Sequence, residues 1–486
     1  MENSILGILL TVIVPFLVLG LASVVQKLGV SAEGSRKLVH ILLSNWILLA
    51  IAVYTQAWAI CILPACFIVL NYLNTRTKLF SAIERDEDNT LGTVWYAVSL
   101  FLLCLAGYSL EMPWLAACGM LAMGYGDGFG ALVGRRFGKS KFPGSYSKKS
   151  LEGMVTVMIF SGLSVGIVCA IYAPDITPHF ALYAALSCAV PAAAIELFTP
   201  RGVDNLTLPL GVSLIIFLLA RFPFLWPVFF CLSIALLILI FAYYLKAITI
   251  SGLISAIILG TTLFVFGGLI NFAALVLFFV LGSIVSRIGK KKKSVAETLH
   301  ERHGARSIAQ VVANGVPSLL FAAVYYFTGI ESCLIASIAC FAATTADTFS
   351  SEIGMLSKKV PLSIITLTPI QRGISGGFTA LGLFGGFLGA IIISALMIPD
   401  FGVKGMIIVA IVGFVSSILD SVLGALFQAK YQVPSDQDEC LLTERKFTDG
   451  KPLKLIHGFK WVNNDVVNFA SVFFCGLLLA IIWQFI

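Results

Sequence analysis

The sequence predicts an all-α, polytopic integral membrane protein with about sixteen transmembrane helices in two helical-bundle domains. Three observations carry this. Hydrophobic residues make up 59% of the 486 positions and charged residues 12%, with a mean hydropathy of +0.98, more apolar surface than a soluble domain can hide. Apolar stretches near the roughly 20 residues needed to cross a bilayer recur along the whole chain with short polar breaks. The basic residues fall in alternate breaks, as they do when short Lys/Arg-rich loops stay on the cytoplasmic side.

In order, the predicted spans are 5–27, 38–54, 57–73, 91–109, 113–133, 151–173, 180–198, 206–221, 224–245, 250–267, 270–288, 309–328, 331–348, 374–397, 404–428 and 465–485. The shorter ones are expected to be half-spans or re-entrant segments. With the N-terminus outside, 30 of the 32 Lys and Arg fall inside, leaving Arg221 and Lys404 outside. Glu2 precedes the first apolar run without any basic residue, so 5–27 reads as a span and not as a cleaved signal. Ten of the eleven cysteines lie in spans without a C-x-x-C and read as small packing residues. The net charge of +7 belongs to inner-face loops; no basic-aromatic interleaving suggests nucleic acid. The long polar segments 134–149, 289–307, 349–373 and 429–464 all fall on that face. The expected location is a prokaryotic plasma membrane with its chemistry on the cytoplasmic side. The KKKK run at 290–293 either attracts substrate phosphates or anchors the chain to anionic headgroups.

Motif content changes around residues 225–250, which places the domains at 1–230 and 235–486. In the first, GYGDGFGALVGRRFGK at 124–139 sets Asp127 near the inner end of an apolar span, where a carboxylate is costly and usually functional. Glycines around it would let backbone approach a ligand. Arg135, Arg136, Lys139, Lys141, Lys148 and Lys149 follow as a basic loop. One acid beside many bases suits a magnesium-bound polyphosphate: the acid holds the metal, the bases neutralise phosphate oxygens. The loop departs from P-loop spacing and no strand precedes it, so a P-loop is rejected. Glu152 is either a second metal ligand or an ion-pair partner of Lys149. Glu196, Asp204 and Asn205 lie at helix ends on the same face and could complete a metal or nucleotide site. Arg36, Lys37 and His40 open the second span as RKLVH; His40 is either part of this site or an interfacial histidine bonded to backbone.

RKLVH, GDGFGALVGRRFGK, KKSLEG and DNLTLP, in this order over residues 25–220, resemble the dolichol kinase and phytol kinase family, relatives of the CDP-diacylglycerol synthases. The resemblance implies CTP-dependent phosphorylation of a long-chain prenol. It puts Asp127, the basic loop, Glu152 and Asp204-Asn205 at the nucleotide and Mg2+ site.

In the second half, HERHGARSIAQVVANG at 300–315 places Arg302, Arg306, Gln310 and Asn314 at intervals of four. On a helix they form one face that could cradle a phosphate; helix-helix polar contact accounts for Gln310 and Asn314 alone. ATTADTFSSEIG follows, with Asp347 and Glu352 as magnesium ligands or as a ligand and a base. Arg372 and Gly376 in QRGISGG are read as a phosphate-binding turn with exposed N–H groups. Gly382, Gly385, Gly386 and Gly389 read as helix-packing positions. Asp420 and Asp465 add carboxylates at the same face. HGARSIAQVVANG, ADTFSSEIG, QRGISGG, DSVLGALFQ and NNDVVNF together, over 240–486, resemble the membrane family that includes the plant phytyl-phosphate kinase.

Together the two resemblances imply a bifunctional lipid kinase acting on a prenyl alcohol of phytol or geranylgeraniol type. It would make first the monophosphate and then the diphosphate, with CTP as donor and Mg2+ as cofactor, in an isoprenoid salvage role. Two rival readings are phosphatidate cytidylyltransferase-like synthesis of a CDP-lipid, and a transporter or scramblase. Acids clustered at one face, away from the midplane, argue against transport.

Overall fold

The structure, a computed structural model, describes residues 5–77, 91–142, 149–177, 179–200, 202–289, 306–433, 441–444, 446–448 and 451–486. It divides into two compact units, Met1–Ile240 and Phe241–Ile486. The boundary falls inside a helix, a few residues beyond the break expected from motif content.

The first unit contains α1 (Ile5–Lys27), α2 (Ala32–Ser44), α3 (Trp46–Val53), α4 (Ala57–Thr77), α5 (Gly92–Ser109), α6 (Trp114–Phe137), α7 (Leu151–Tyr172), α8 (Phe180–Phe198) and α9 (Asp204–Arg221). The boundary helix is α10 (Trp226–Tyr244). The second unit contains α11 (Ile250–Arg287), α12 (Ile308–Thr328), α13 (Glu331–Gly354), α14 (Ala380–Ser394), α15 (Ile398–Phe427) and α16 (Asn464–Ile482). Short strands occupy its polar loops: β1 (Leu362–Ser363) pairs with β2 (Gly377–Phe378), and β3 (Lys430–Val433) lies between β4 (Leu441–Thr443) and β7 (Lys454–His457). β5 (Phe447–Thr448) and β6 (Lys451–Pro452) form a hairpin.

Each predicted span falls largely on helix, except that the first six residues of 374–397 form a turn and strand β2 before the helix begins at Ala380. Among the described residues, 13 helices are long and apolar enough to cross a membrane, fewer than the sixteen stretches for two physical reasons. Two pairs of spans are joined end to end through Gly268 (φ 68°) in α11 and Gly402 (φ 64°) in α15. Nothing lies within 4 Å of a Cβ built at either position, so the left-handed conformation, and not space, requires glycine there. The other reason is α6, whose glycines and Asp127 make it less apolar than a lipid-facing helix although it is the most enclosed helix of its unit.

That enclosure is the organising feature of each half. α6 supplies Ala116, Ala117, Cys118, Met120, Ala122 and Met123 to one core, and α13 supplies Ile335, Ala336, Ile338, Ala339, Phe341 and Ala342 to the other, all with no more than trace exposure. The remaining helices pack around these axes and turn Leu, Ile, Val and Phe outward to lipid. The ten described cysteines are free thiols, nine of them buried, in keeping with packing roles; Cys440 lies outside the described residues.

Helix starts next to the polar loops carry side-chain caps. Ser31, Ser150, Thr249, Thr379 and Asn463 accept from the backbone N–H groups of Gly34, Gly153, Gly252, Gly382 and Val466 at 3.0 to 3.2 Å. Each cap satisfies a donor the first helical turn leaves open. The chain therefore enters its spans at fixed points beside the candidate site residues.

Candidate functional site

In the first unit the site is built on α6. The small residues of GYGDGFG bring neighbours close: a Cβ on Gly124 would meet Ser44 Oγ at 2.1 Å, on Gly126 Ser161 Oγ at 2.1 Å, and on Gly128 Ile41 Cγ1 at 2.5 Å. These glycines serve helix packing, which corrects the expectation that they open backbone to a ligand. The close approach of α2 places Lys37, one turn before Ile41, against Asp127: Lys37 Nζ lies 2.5 Å from Asp127 Oδ2, and both side chains are 7% exposed.

Beside this pair Lys149 Nζ lies 2.7 Å from Glu196 Oε1 and 3.9 Å from Asp204 Oδ2, and it also donates to the Glu196 carbonyl. Ligand atoms of Asp127, Glu196 and Asp204 fall within 4.8 Å of one another, a grouping of three hard oxygen donors that fits Mg2+. Among these five side chains three carboxylates meet two ammoniums. A bound cation would offset the difference.

Arg36, Lys37 and His40 are all buried on α2, and the His40 ring sits 5.0 Å from the Tyr96 ring. His40 and Tyr96 also wall an apolar groove of about 70 Å³ formed by α1, α2, α3, α4 and α5, with Leu19, Leu43, Phe67 and Leu100 along it. Arg135, Arg136 and Lys139 are exposed at the α6 C-terminus, where their charge also complements the helix dipole.

Two expected participants stand apart. Glu152 Oε1 accepts from the backbone N–H groups of Lys139 (3.1 Å) and Ser140 (3.3 Å), so this carboxylate fastens the basic loop and is absent from the acidic trio. Asn205 Nδ2 donates to the Gly92 carbonyl at 2.8 Å, tying α9 to α5.

The second unit holds a wider cavity of about 520 Å³, lined by Arg306, Gln310, Asn314, Asp347, Glu352, Arg372, Gly376, Asp420 and Asp465. Arg302 lies outside the described residues. The Arg306 guanidinium sits 5.0 Å from both the Phe278 and Phe279 ring centres and close to Gly282, where a Cβ would meet Nη2 at 2.4 Å. Burial pulls its pKa down to about 10, partly opposed by Glu352, so it stays charged at neutral pH. Its Nη1 is buried and makes no hydrogen bond among the described residues.

Asp347 lines this cavity from α13 with no hydrogen bond or ion pair among the described residues. Asp420 is buried and accepts from Ser471 Oγ at 2.8 Å. With the Asn468 amide oriented to satisfy its neighbours, its nitrogen donates to Asp420 Oδ2 at 3.2 Å and to the Asn464 carbonyl at 3.1 Å. Glu352 Oε1 accepts from Ser286 Oγ at 2.8 Å.

Several second-half expectations change. Gln310 Oε1 accepts from the Ser307 N–H at 3.1 Å, so its carbonyl end completes a helix cap. Arg372 Nη2 donates to the carbonyls of Lys358 (2.9 Å) and Lys359 (3.1 Å) and ties down its own loop. The QRGISGG turn does not offer all its N–H groups: Ser375 N donates to Glu444 Oε1 at 2.9 Å, and Gly376 (φ 91°) packs against Ala425. Glu444, buried beside the cavity, is the residue that sequence reasoning missed. It lies among other charged residues of a polar loop, and no motif marks it. The Gly382–Gly389 stripe packs on α13 as expected, with Cβ positions 2.7 to 3.1 Å from the Ser350, Phe349, Ala346 and Thr345 carbonyls.

Residues 233–476 match the family described as Integral membrane protein DUF92. The chain is 38% identical to the uncharacterized membrane protein MJ0933 of Methanocaldococcus jannaschii over 180 residues, 37% of this chain and 74% of that protein. It is 35% identical to a phytol kinase of Synechocystis sp. over 195 residues, 40% of this chain and 83% of the relative. It is 24% identical to the chloroplastic Protein VTE6 of Arabidopsis thaliana over 244 residues, 49% of this chain and 65% of that one. No solved structure matches the chain. The chain belongs to the integral membrane family DUF92 and, through the segment shared with the Synechocystis protein, to the phytol kinase family.

Proposed function

We propose that the chain is a membrane lipid kinase whose first unit phosphorylates a prenyl alcohol and whose second phosphorylates the resulting prenyl monophosphate, with CTP as donor and Mg2+ as cofactor on the cytoplasmic side of a prokaryotic plasma membrane. The observation that carries this reading is the cluster of Lys37, Asp127, Lys149, Glu196 and Asp204, with Lys37 one helical turn from His40 on the wall of an apolar groove. Substrate tail and charged headgroup chemistry are thereby set side by side. The phytol kinase relative supports the same reading.

In the first step the alcohol oxygen forms a bond to the γ-phosphorus, the bond from that phosphorus to the β-bridging oxygen breaks, and the nucleoside diphosphate leaves. The apolar groove would hold the isoprenoid tail. His40, on the groove wall, would receive the hydroxyl proton, and the exposed Arg135, Arg136 and Lys139 would attract the donor's phosphates. Asp127, Glu196 and Asp204 would hold the magnesium, whose charge offsets that developing on the transferred phosphoryl group. Because such transition states are loose, catalysis is mainly positioning and charge neutralisation. A few lysines and acids fixed by helix packing supply both.

In the second unit the prenyl monophosphate oxygen attacks in the same way. Arg306 is held over two rings with Nη1 buried at the cavity, a fixed positive group for phosphate, while Asp347 and Asp420, which line the same cavity, would hold the metal. The cavity of about 520 Å³ is the place where the lipid phosphate and the nucleotide would meet.

The test is an assay of purified protein with phytol, geranylgeraniol or farnesol, magnesium, and CTP or ATP labelled at the γ-phosphate. The expected product is labelled diphosphate; Asp347→Ala should stop at the monophosphate and Asp127→Ala should make neither product from the alcohol. Label that never reaches a prenol, or transfer of a cytidylyl group to a phospholipid, would overturn the reading.

A further inference from the structure

The segment between α15 and α16 presents a surface that its place in the cavity wall does not explain. Residues 457–462 are stitched to the end of α15: His457 Nε2 lies 2.9 Å from the Ala425 carbonyl, Phe459 N donates to Phe427 O at 3.0 Å, and Ala429 N donates to Val462 O at 3.0 Å. Gly458 (φ 77°) makes this possible, since a Cβ there would stand 2.2 Å from the Gln428 carbonyl. The stitching lines up three rings: Phe427 and Phe459 stack with centroids 6.3 Å apart, and Phe459 and Trp461 are likewise 6.3 Å apart. All three are exposed, Trp461 at 71%. Leu455 and Ile456 on the edge strand β7 are exposed too, between the exposed Lys454 and Lys460.

An aromatic ladder open to water would be an association liability on a soluble surface. Here its depth is fixed by covalent structure. Phe427 is the last residue of the helix Ile398–Phe427, and Trp461 stands three residues before the helix Asn464–Ile482 begins, so the ladder lies where two spans leave the bilayer. The amphipathic indole of Trp461 favours that level, and lysines beside it favour anionic headgroups. We infer that Phe427, Phe459 and Trp461, with Leu455, Ile456, Lys454 and Lys460, form a membrane-interface docking surface for anionic phospholipid headgroups. The same short turn supplies Gln428, Ala429, Val462 and Asn463 to the cavity wall, so lipid contact on its outer side sets the position of that wall. This inference stands whether or not the second unit transfers phosphate.

The test uses the full chain in nanodiscs of phosphatidylcholine with or without phosphatidylglycerol. Quenching by lipids brominated high in the acyl chain, and by aqueous iodide, is measured for wild type and for Trp461→Phe, and the difference isolates Trp461. The expected difference signal is quenched by brominated lipid, shielded from iodide, and more strongly lipid-quenched with phosphatidylglycerol. Lys454→Glu with Lys460→Glu should abolish the phosphatidylglycerol gain, with size-exclusion profile and thermal unfolding unchanged. Quenching by iodide alone would overturn the inference. So would shielding from both quenchers, which would mean that protein, a second copy included, covers the ladder.

Discussion

The two units place an aspartate near the end of a buried axial helix, yet they treat it oppositely. Asp127 is met at once by Lys37, and the neighbouring carboxylates share Lys149, so the first site is small and its acids are paired from within. Asp347 has no such partner among the described residues; it lines a cavity of about 520 Å³ with Asp420 held by hydroxyl and amide donors and Arg306 held by aromatic rings. The difference teaches how each half manages charge in a low-dielectric setting. A buried carboxylate needs a counter-charge; the first unit supplies it from the chain, and the second leaves room for it to come with the ligand.

The largest effects should follow from removing the axial acids. Asp127→Asn should lower alcohol phosphorylation by more than about 100-fold, beyond the usual cost of losing an outer-sphere partner, with phosphorylation of added prenyl monophosphate unchanged; Asp347→Asn should give the reverse pattern. Assaying the two substrates separately checks both. Equal loss of both activities in either variant would dissolve the comparison.

Next in size is Lys37→Met. It strands Asp127 in a buried position, and breaking such a pair costs about 3 to 5 kcal/mol. Thermal unfolding in detergent should show a clear drop that Lys37→Arg restores in part. The matching change in the second unit, Arg306→Met, removes a cation that rests on rings rather than on a carboxylate. It should cost about 1 to 2 kcal/mol in stability while sharply weakening turnover of prenyl monophosphate. A larger stability loss for Arg306→Met than for Lys37→Met would reverse the proposed contrast.

These contrasts also show what the sequence could and could not reveal. The spans were readable because lipid imposes one apolar length, and the acids because a carboxylate in a span is conspicuous. The family resemblance sets Asp127 and Asp204 at one site, and the structure brings them with Glu196 within one ion's reach. Partner choice was less visible. The pairing of Lys37 with Asp127 joins residues 90 positions apart and depends on glycines whose role as helix contacts, and not ligand contacts, only three-dimensional packing exposes. Glu152, Gln310 and Arg372 carry the residue types of a phosphate or metal site but spend hydrogen-bonding groups on backbone at helix starts and loops. Glu444 had no motif to announce it, because its partner, the Ser375 N–H, is a backbone group.

A packing glycine sharpens the point at moderate cost. Gly128→Ala puts a methyl 2.5 Å from Ile41 and should push α2 away from α6, separating Lys37 from Asp127. Overpacking of this kind costs about 1 to 3 kcal/mol. The first phosphorylation should fall while the second holds, as the two-substrate assay would show, and Ile41→Ala should restore part of the loss by making room.

The smallest effect is expected at Glu152, and it discriminates most finely between the sequence reading and the geometry. A metal ligand would lose function as an amide. A carboxylate that accepts from the Lys139 and Ser140 N–H groups can be replaced by glutamine, whose carbonyl oxygen keeps one or both bonds at reduced strength. Glu152→Gln should therefore leave the first activity within about fivefold of wild type, since one charge-assisted bond exchanged for a neutral one is worth about 1 kcal/mol or less. Glu152→Ala, which frees the loop, should raise KM for the nucleotide more than it lowers kcat, because the basic residues it orients bind phosphate before any bond changes. A collapse of kcat in Glu152→Gln comparable to that in Asp127→Asn would return Glu152 to the metal site and make the hydrogen bonds to the loop incidental.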